Sequence, residues 1–240
     1  MFRPMLVAAA LALMAAAPLQ AEEIRDSAVF DFYIHGFRAG ILVFNGVQSG
    51  DYYAVNGRFS TAGVVSLVRT VRYDASVTGQ IVAGKYQPQS YQLTSQPGGK
   101  TTVQTITYVG GVPQAPVQDP PRAAPDPLAL APATQAGTLD TLTAIYATFR
   151  AIPEQQACNG TLELFDGVRR AELKLWPADG PAGTLACNGE YRRVAGYSQQ
   201  DMERPSFPFR MTYEPADKGL VQVARIDMDS IYGNASLKRR

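Results

Sequence analysis

The sequence predicts a mainly β protein, an antiparallel sheet carrying one helix. Most apolar residues fall in short alternating runs, each bounded by Gly, Pro or Asn. Strands with one polar face that follow one another without intervening helices describe an antiparallel sheet rather than β-α-β units. Only one segment carries apolar residues at helical spacing: Leu139, Leu142, Ile145, Tyr146, Phe149 and Ile152.

The chain opens MFRPMLVAAALALMAAAPLQAEE. Arg3 gives a positive start, Met5 to Ala17 an apolar run, and Leu19-Gln20-Ala21 a small-residue cleavage site. This is the pattern of a secretory signal, too short and wrongly flanked for a spanning helix. The expectation is a signal peptide over residues 1–21, cleaved after about Ala21, and an exported single β-rich domain over 22–240 that does not span the membrane. The full chain has 22 Lys+Arg against 21 Asp+Glu, and loss of Arg3 brings the remainder to neutrality. A neutral chain has no strong attraction to nucleic acid or anionic lipid, so no nucleic-acid partner is expected.

The first run, VFDFYIHG, places Phe30, Phe32 and Ile34 on one face and Asp31, Tyr33 and His35 on the other. AGILVFNGVQ, YYAVNGRFST, LVRTVRYDASV, KYQPQSYQLTS and TTVQTITYVGG follow as further strands. TAGVVSLVR is ambiguous, and a short helical turn is one reading. Residues 112–137, VPQAPVQDPPRAAPDPLALAPATQAG, are rich in Pro and Ala and low in charge. They cannot be a central strand, because proline lacks the amide donor. An edge-covering strap is favoured over a linker between two domains, since the N-terminal strands are too few and too polar to close a core alone.

The helix in GTLDTLTAIYATFRAIP is expected over 138–152, with Thr138 or Asp140 as its cap and Pro153 as its stop. A helix this short needs a sheet to lie on. Beyond it, ACNG occurs twice, at 157–160 and 186–189, and holds the chain's two cysteines. A structural zinc site needs four ligands, which two thiols and the single His35 do not supply. A thioredoxin-type motif needs sulfurs close in sequence. A disulfide between Cys158 and Cys187 remains, worth roughly 3–4 kcal/mol in the chain-entropy treatment. TLELFDGVRRAELKLW reads as strands Thr161–Phe165 and Val168–Trp176 around the Asp166-Gly167 turn, and TLACNGEYRRVAG as a third strand. In that meander the outer two strands lie nearly twice ~4.8 Å apart, beyond the reach of a disulfide. Cys158 is therefore expected outside the ladder, in the connection entering the first strand, so that the bond ties the end of the helix to the third. PFRMTYEP, GLVQVARIDMD and IYGNASLK complete the strands.

YIHGFRAG (33–40), YQPQSY (86–91), GTLD (137–140), the first cysteine, FDGVRR (165–170) and the second cysteine, in that order, resemble DUF3108, a family of exported bacterial proteins of unknown function. The resemblance implies a Gram-negative periplasmic protein with a large curved antiparallel sheet. That shape is similar to the half-open β-barrels of periplasmic lipoprotein carriers, with the helix packed in or on the sheet. The family brings no catalytic residues to carry over, and fold analogy alone assigns no function.

Chemistry is sparse. A catalytic triad would have to use His35, and the chain has no Gly-x-Ser-x-Gly elbow. Asp227 and Asp229 share a strand face and with Asp31 are candidates for acid–base work, although carboxylates so spaced are usually solvated. DMDS lacks the glycine-pivoted loop of a calcium site, and PGGK and VGG are turns with no helix after them. Arg169, Arg170, Arg192 and Arg193 fall on successive strands and favour a salt-bridged outer face. No catalytic residue, metal or cofactor is expected. The aromatic residues are more informative: Phe30, Phe32, Tyr53, Phe59, Tyr73 and Tyr91 are expected to line an apolar ligand site on a concave sheet, with ordinary core packing as the alternative. The function expected is a non-enzymatic binding or carrier module for an apolar or lipid-like ligand. The alternative is an interaction protein offering a sheet edge or the strap to an envelope protein, with a hydrolase third.

Overall fold

Six strands pair in chain order from the N-terminus: β1 (Glu23–Ile34), β2 (Phe37–Ser49), β3 (Tyr52–Thr61), β4 (Val71–Val82), β5 (Lys85–Pro97) and β6 (Thr102–Val109). A second antiparallel meander follows: β9 (Gly160–Phe165), β10 (Arg170–Ala178), β11 (Ala186–Ala195), β12 (Ser206–Pro215), β13 (Val221–Ser230) and β14 (Gly233–Arg239). Two short strands, β7 (Val112–Pro113) and β8 (Val117–Asp119), lie between them against β6. The computed structural model describes residues 23–63, 65–68, 70–181, 183–231 and 233–240, so the segment read as a signal peptide lies outside the described residues. TAGVVSLVR contributes the one-turn helix α1 (Val65–Val68), and α3 (Gln199–Met202) is equally short.

The two meanders are joined along β1 and β14, with Phe30 opposite Arg239 and Ile34 opposite Ala235. The sheet does not close, because β6 and β9 are not paired with each other. The Pro-rich segment between them spans this seam. On one side β8 pairs with β6, Val103 opposite Asp119. On the other, the Leu130 amide donates to Val168 O at 3.0 Å, and Leu139 bonds the β9 backbone through Glu163 O and the Phe165 amide, at 2.8 and 2.9 Å. Gln104 Nε2 on β6 also donates to Asp166 O at 2.8 Å. Unpaired strand edges are thereby covered from both sides.

The helix α2 (Thr141–Phe149) sits in the concave face of this half-open barrel and is shorter than the expected 138–152. Leu139 forms a parallel bridge with Leu164, and Ile152 an antiparallel bridge with Val221. Both residues take sheet pairing in place of helical backbone, although their side-chain spacing suits a helix. Asp140, not Thr138, is the cap, accepting the Thr143 amide at 2.9 Å. At the other end Arg239 Nη2 donates to Phe149 O at 3.1 Å, a cation on the helix C-terminus. Asp26 accepts the Ala151 amide and the Tyr146 hydroxyl, each at 3.2 Å. Glycines on β2 and β3 let the helix approach: a Cβ on Gly46 would collide with the Tyr146 ring, and one on Gly57 would sit 2.6 Å from Leu142 Cδ1.

Cys158 lies in the turn before β9 and Cys187 in β11; they are joined by a disulfide with Cα atoms 5.1 Å apart. The bond fastens the chain leaving α2 to the third strand of the second meander. The two ACNG segments therefore have different conformations, one a turn with Cys158 at φ 59° and one a strand. Asp166 Oδ1 accepts the amides of both Val168 and Arg169, at 2.9 and 2.7 Å. This local turn consumes two residues that a tight hairpin would have paired, so β10 starts at Arg170 instead of Val168.

Reducing the disulfide, which spans 29 positions, is expected to lower stability by roughly 3–4 kcal/mol in the chain-entropy treatment, read as a shift in urea denaturation with and without reductant. Gly46→Ala is expected to cost about 1–3 kcal/mol through overpacking against Tyr146, read in the same assay.

Candidate functional site

Strand alternation decides which side chains face α2. Tyr53, Val55, Gly57 and Phe59 on β3 face inward, as do Leu173 on β10, Tyr191 on β11, Phe209 and Met211 on β12, and Ile226 and Met228 on β13. Burial is graded along these strands. Phe44, Val55, Val77, Met211 and Val223 are buried against the helix. One or two inward positions further along, Leu42, Phe59, Leu173, Tyr191, Phe209, Met228 and Leu237 are only half-buried, and Tyr73 is exposed. The helix therefore covers one end of the concave face and leaves an apolar trough at the other.

Two cavities make up the trough, and both include Thr141 and Ile145 in their walls. One, of about 240 Å³, is lined by the second meander through Leu164, Leu173, Tyr191, Phe209, Met228 and Leu237. The other, of about 220 Å³, is lined by the first through Leu42, Phe59, Tyr73, Tyr91 and Leu93. Ile145, half-buried on α2, stands between them.

Three of the six aromatic residues named from sequence, Phe59, Tyr73 and Tyr91, line the second cavity. Phe32 packs edge-on against Phe59, centroids 5.8 Å apart. Phe30 and Tyr53 belong to the packing beneath the helix. Phe30 is buried against Phe149 at 5.3 Å with the Arg239 guanidinium over its ring. Tyr53 meets Tyr86 at 5.0 Å and its hydroxyl lies 3.0 Å from Thr143 Oγ1. All of them have the inward pleat; their depth relative to α2 separates lining from core. The second meander supplies lining residues that sequence reasoning misses, although the alternation in GEYRRVA and PFRMTYEP carries them.

Beneath the trough lies a buried polar cluster. Asp140 is fully buried, and burial raises its pKa to about 6 despite the hydroxyl and amide of Thr143 that favour its charged form. Burial raises the phenols of Tyr53, Tyr91 and Tyr108 as well, and the Asp140 charge adds to the effect. Asp140, Thr143 and Tyr53 hold the helix start, while the Tyr108 hydroxyl is buried without a hydrogen-bond partner among the described residues.

Of the candidates for catalysis, Asp227 and Asp229 line one open cavity of about 690 Å³ with Tyr33 and Lys238, and each candidate is held in its own pairing. His35 occupies the β1–β2 turn at φ 49°, its ring against Gly233 and its amide donating to Asn234 O at 2.9 Å. Asp31 pairs with Arg38 and Arg240, each at 2.7 Å, while Asp227 pairs with Arg225 at 2.5 Å. Asp229 accepts the Asn234 amide group at 2.7 Å. Arg170 pairs with Glu163 at 3.2 Å and Arg192 with Glu172 at 3.0 Å, whereas Arg169 and Arg193 lie over aromatic rings. Among the described residues no three His, Cys, Asp or Glu side chains cluster for a metal, and no helix is long and apolar enough to cross a membrane.

A family described as "Protein of unknown function (DUF3108)" matches residues 29–181. Among solved structures the chain is similar to a crystal structure of a beta-barrel-like protein of domain of unknown function DUF1849 from Brucella abortus. The two share 13% identity at a TM-score of 0.45, over 90% of this chain and 96% of that one. No curated protein matches the chain.

Because its folded pKa of about 6 exceeds the unfolded value near 3.8, Asp140 favours the folded state when protonated. Its contribution is complete below pH ~4 and is lost as pH rises through ~6. Asp140→Asn keeps a good cap and is expected to remove this downward slope from the stability profile between pH 4 and 6, seen by comparing denaturation midpoints of the two proteins.

Proposed function

This chain belongs to the DUF3108 family of proteins of unknown function, and we propose that it is a non-enzymatic, exported binding module that takes an apolar, lipid-like ligand into the trough beside α2. The observation that carries this reading is the uncovered end of the concave face. Half-buried Leu173, Phe209, Met228, Leu237, Leu42 and Phe59 surround Ile145. A ligand that displaces water from such a surface gains roughly 25 cal/mol for each Å² of apolar area it covers. The walls are predominantly apolar with few polar groups, the character of a small-molecule site.

The disulfide and the N-terminal signal pattern both support an oxidising compartment outside the cytosol, with the periplasm as the location proposed. The buried polar groups beneath the trough, Asp140, Thr143 and Tyr53, are engaged with one another. The polar groups in its walls are the neutral Thr141, Thr148, Tyr73, Tyr91 and Tyr191 with Arg58 at the rim, which supports binding over chemistry. The strap bonds both free edges of the sheet, which counts against its being the surface offered to an envelope partner.

The neutral fluorophore N-phenyl-1-naphthylamine is expected to brighten on binding the purified protein. Ile145→Trp, which fills space between the two cavities, is expected to weaken that binding at least about tenfold, equivalent to 1.4 kcal/mol, without lowering the melting temperature. Absence of binding by the native protein, or binding unchanged in the variant, rejects the reading.

A further inference from the structure

The inward face of β11 does not end in apolar residues. After Gly189 and Tyr191 the next inward position is Arg193, opposite Ala171 of β10, one step beyond the Leu173–Tyr191 pair that lines the trough. The Arg193 guanidinium lies 4.9 Å from the centroid of Phe207 and 5.4 Å from that of Tyr197. Arg169, from the β9–β10 turn, covers Tyr197 at 5.5 Å, and Arg204 covers Phe207 at 5.1 Å. The boundary between trough and arginines is a pair of phenols, Tyr191 and Tyr197, whose hydroxyls lie 3.0 Å apart.

The acceptors in this cluster are unevenly shared. Arg193 faces the Asp201 carboxylate at 3.5 Å and donates to the Asp201 and Arg204 carbonyls. Among the described residues Arg204 donates to carbonyls, those of Asp229 and Ser230. The nearby Asp166 carboxylate accepts two backbone amides. Arg169 is exposed, and its guanidinium has no hydrogen bond or ion pair among the described residues. A guanidinium stacked on a ring still directs its N–H groups outward in its own plane, ready for a bidentate anion.

We propose that the ligand is a single-chain anionic amphiphile, its alkyl chain in the trough beside Ile145 and its carboxylate or phosphate head at Arg169 and Arg193. This rests on the binding reading above and adds the ligand's class and polarity. The head is held where β11 carries arginine on its inward face, and the chain runs from there over Tyr191 and Phe209.

The test is displacement of N-phenyl-1-naphthylamine by dodecanoate, monododecyl phosphate and dodecanol, with native protein and with Arg169→Ala. At least one anion is expected to displace the probe at about tenfold lower concentration than dodecanol, 1.4 kcal/mol, and the stronger of the two identifies the head. In Arg169→Ala that advantage is expected to shrink toward parity while dodecanol is unaffected. Arg169→Lys, which keeps the charge, is expected to restore part of it. Because Arg169 is exposed, the variant tests the site without testing the fold. Equal displacement by all three compounds, or an anion advantage that survives Arg169→Ala, overturns the head site and leaves the trough standing. No binding of the probe, and no displacement by any compound, overturns both.

Discussion

The position of α2 inside the half-open barrel is the constraint on which the rest of the structure depends. Its start is capped by Asp140, and its end is held by Arg239 from β14 and Asp26 from β1. Gly46 and Gly57 bring the backbone of β2 and β3 close enough for Tyr146 and Leu142 to fill the space between. A helix of nine residues is too short to be stable alone, and too short to cover the inner face of so large a sheet. It therefore makes a dry core at one end and leaves apolar side chains half-covered at the other. The trough is a consequence of helix length and anchoring.

An open sheet of this size has a second difficulty, the seam between β6 and β9. Direct pairing of these edges would close the barrel, and the chain instead inserts its Pro-rich segment. Proline lacks the amide donor, and such a segment resists joining a regular ladder. It bonds β6 at Val112–Pro113 and Val117–Asp119, touches the turn after β9 through Leu130, and the chain just beyond it pairs with β9 at Leu139. The same stretch then delivers Asp140 to the helix start, and the chain beyond α2 is clamped to β11 by the disulfide. Seam, helix and cross-link form one continuous run of chain from 112 to 160, tied at intervals to both meanders.

Much of this is legible in the sequence because it rests on local patterns. Period-two alternation identifies the strands, the spacing of Leu142, Tyr146 and Phe149 identifies the helix, and the distance across a three-stranded meander places Cys158 outside the ladder. What is not legible depends on distant partners. Leu139 and Ile152 fit the helical stripe, yet Leu164 and Val221 draw them into bridges. The aromatic residues of the first meander are assigned to the correct face, but alternation gives the face of a strand and not the depth along it. Phe30 and Phe59 both point inward; one is sealed by Phe149 and the other borders a cavity. Tyr191, Phe209 and Met228 become lining residues only because α2 lies where it does. Arg169 and Arg193 read as members of a salt-bridged outer face, and Arg193 proves to be inward, at a level beyond the last apolar pair.

Hydrogen bonds between helix and sheet explain why α2 does not slide to fill the trough. An apolar helix face on an apolar sheet has many nearly equal positions, since hydrophobic attraction is not directional. Hydrogen bonds are. Thr143 Oγ1 meets the Tyr53 hydroxyl of β3, Leu139 is bonded to the β9 backbone just before the cap, and Asp26 of β1 accepts the Tyr146 hydroxyl and the Ala151 amide. Asp140 caps Thr143 within the helix and would travel with it, but sliding the helix would break the bonds to the sheet at both of its ends, and each buried group left unpaired costs about 1–3 kcal/mol. Covering a few half-exposed side chains, at ~25 cal/mol per Å² of apolar surface, does not offset several such losses. The bonds from helix to sheet thus fix α2 where it stops short and keep Ile145 at the edge of the trough.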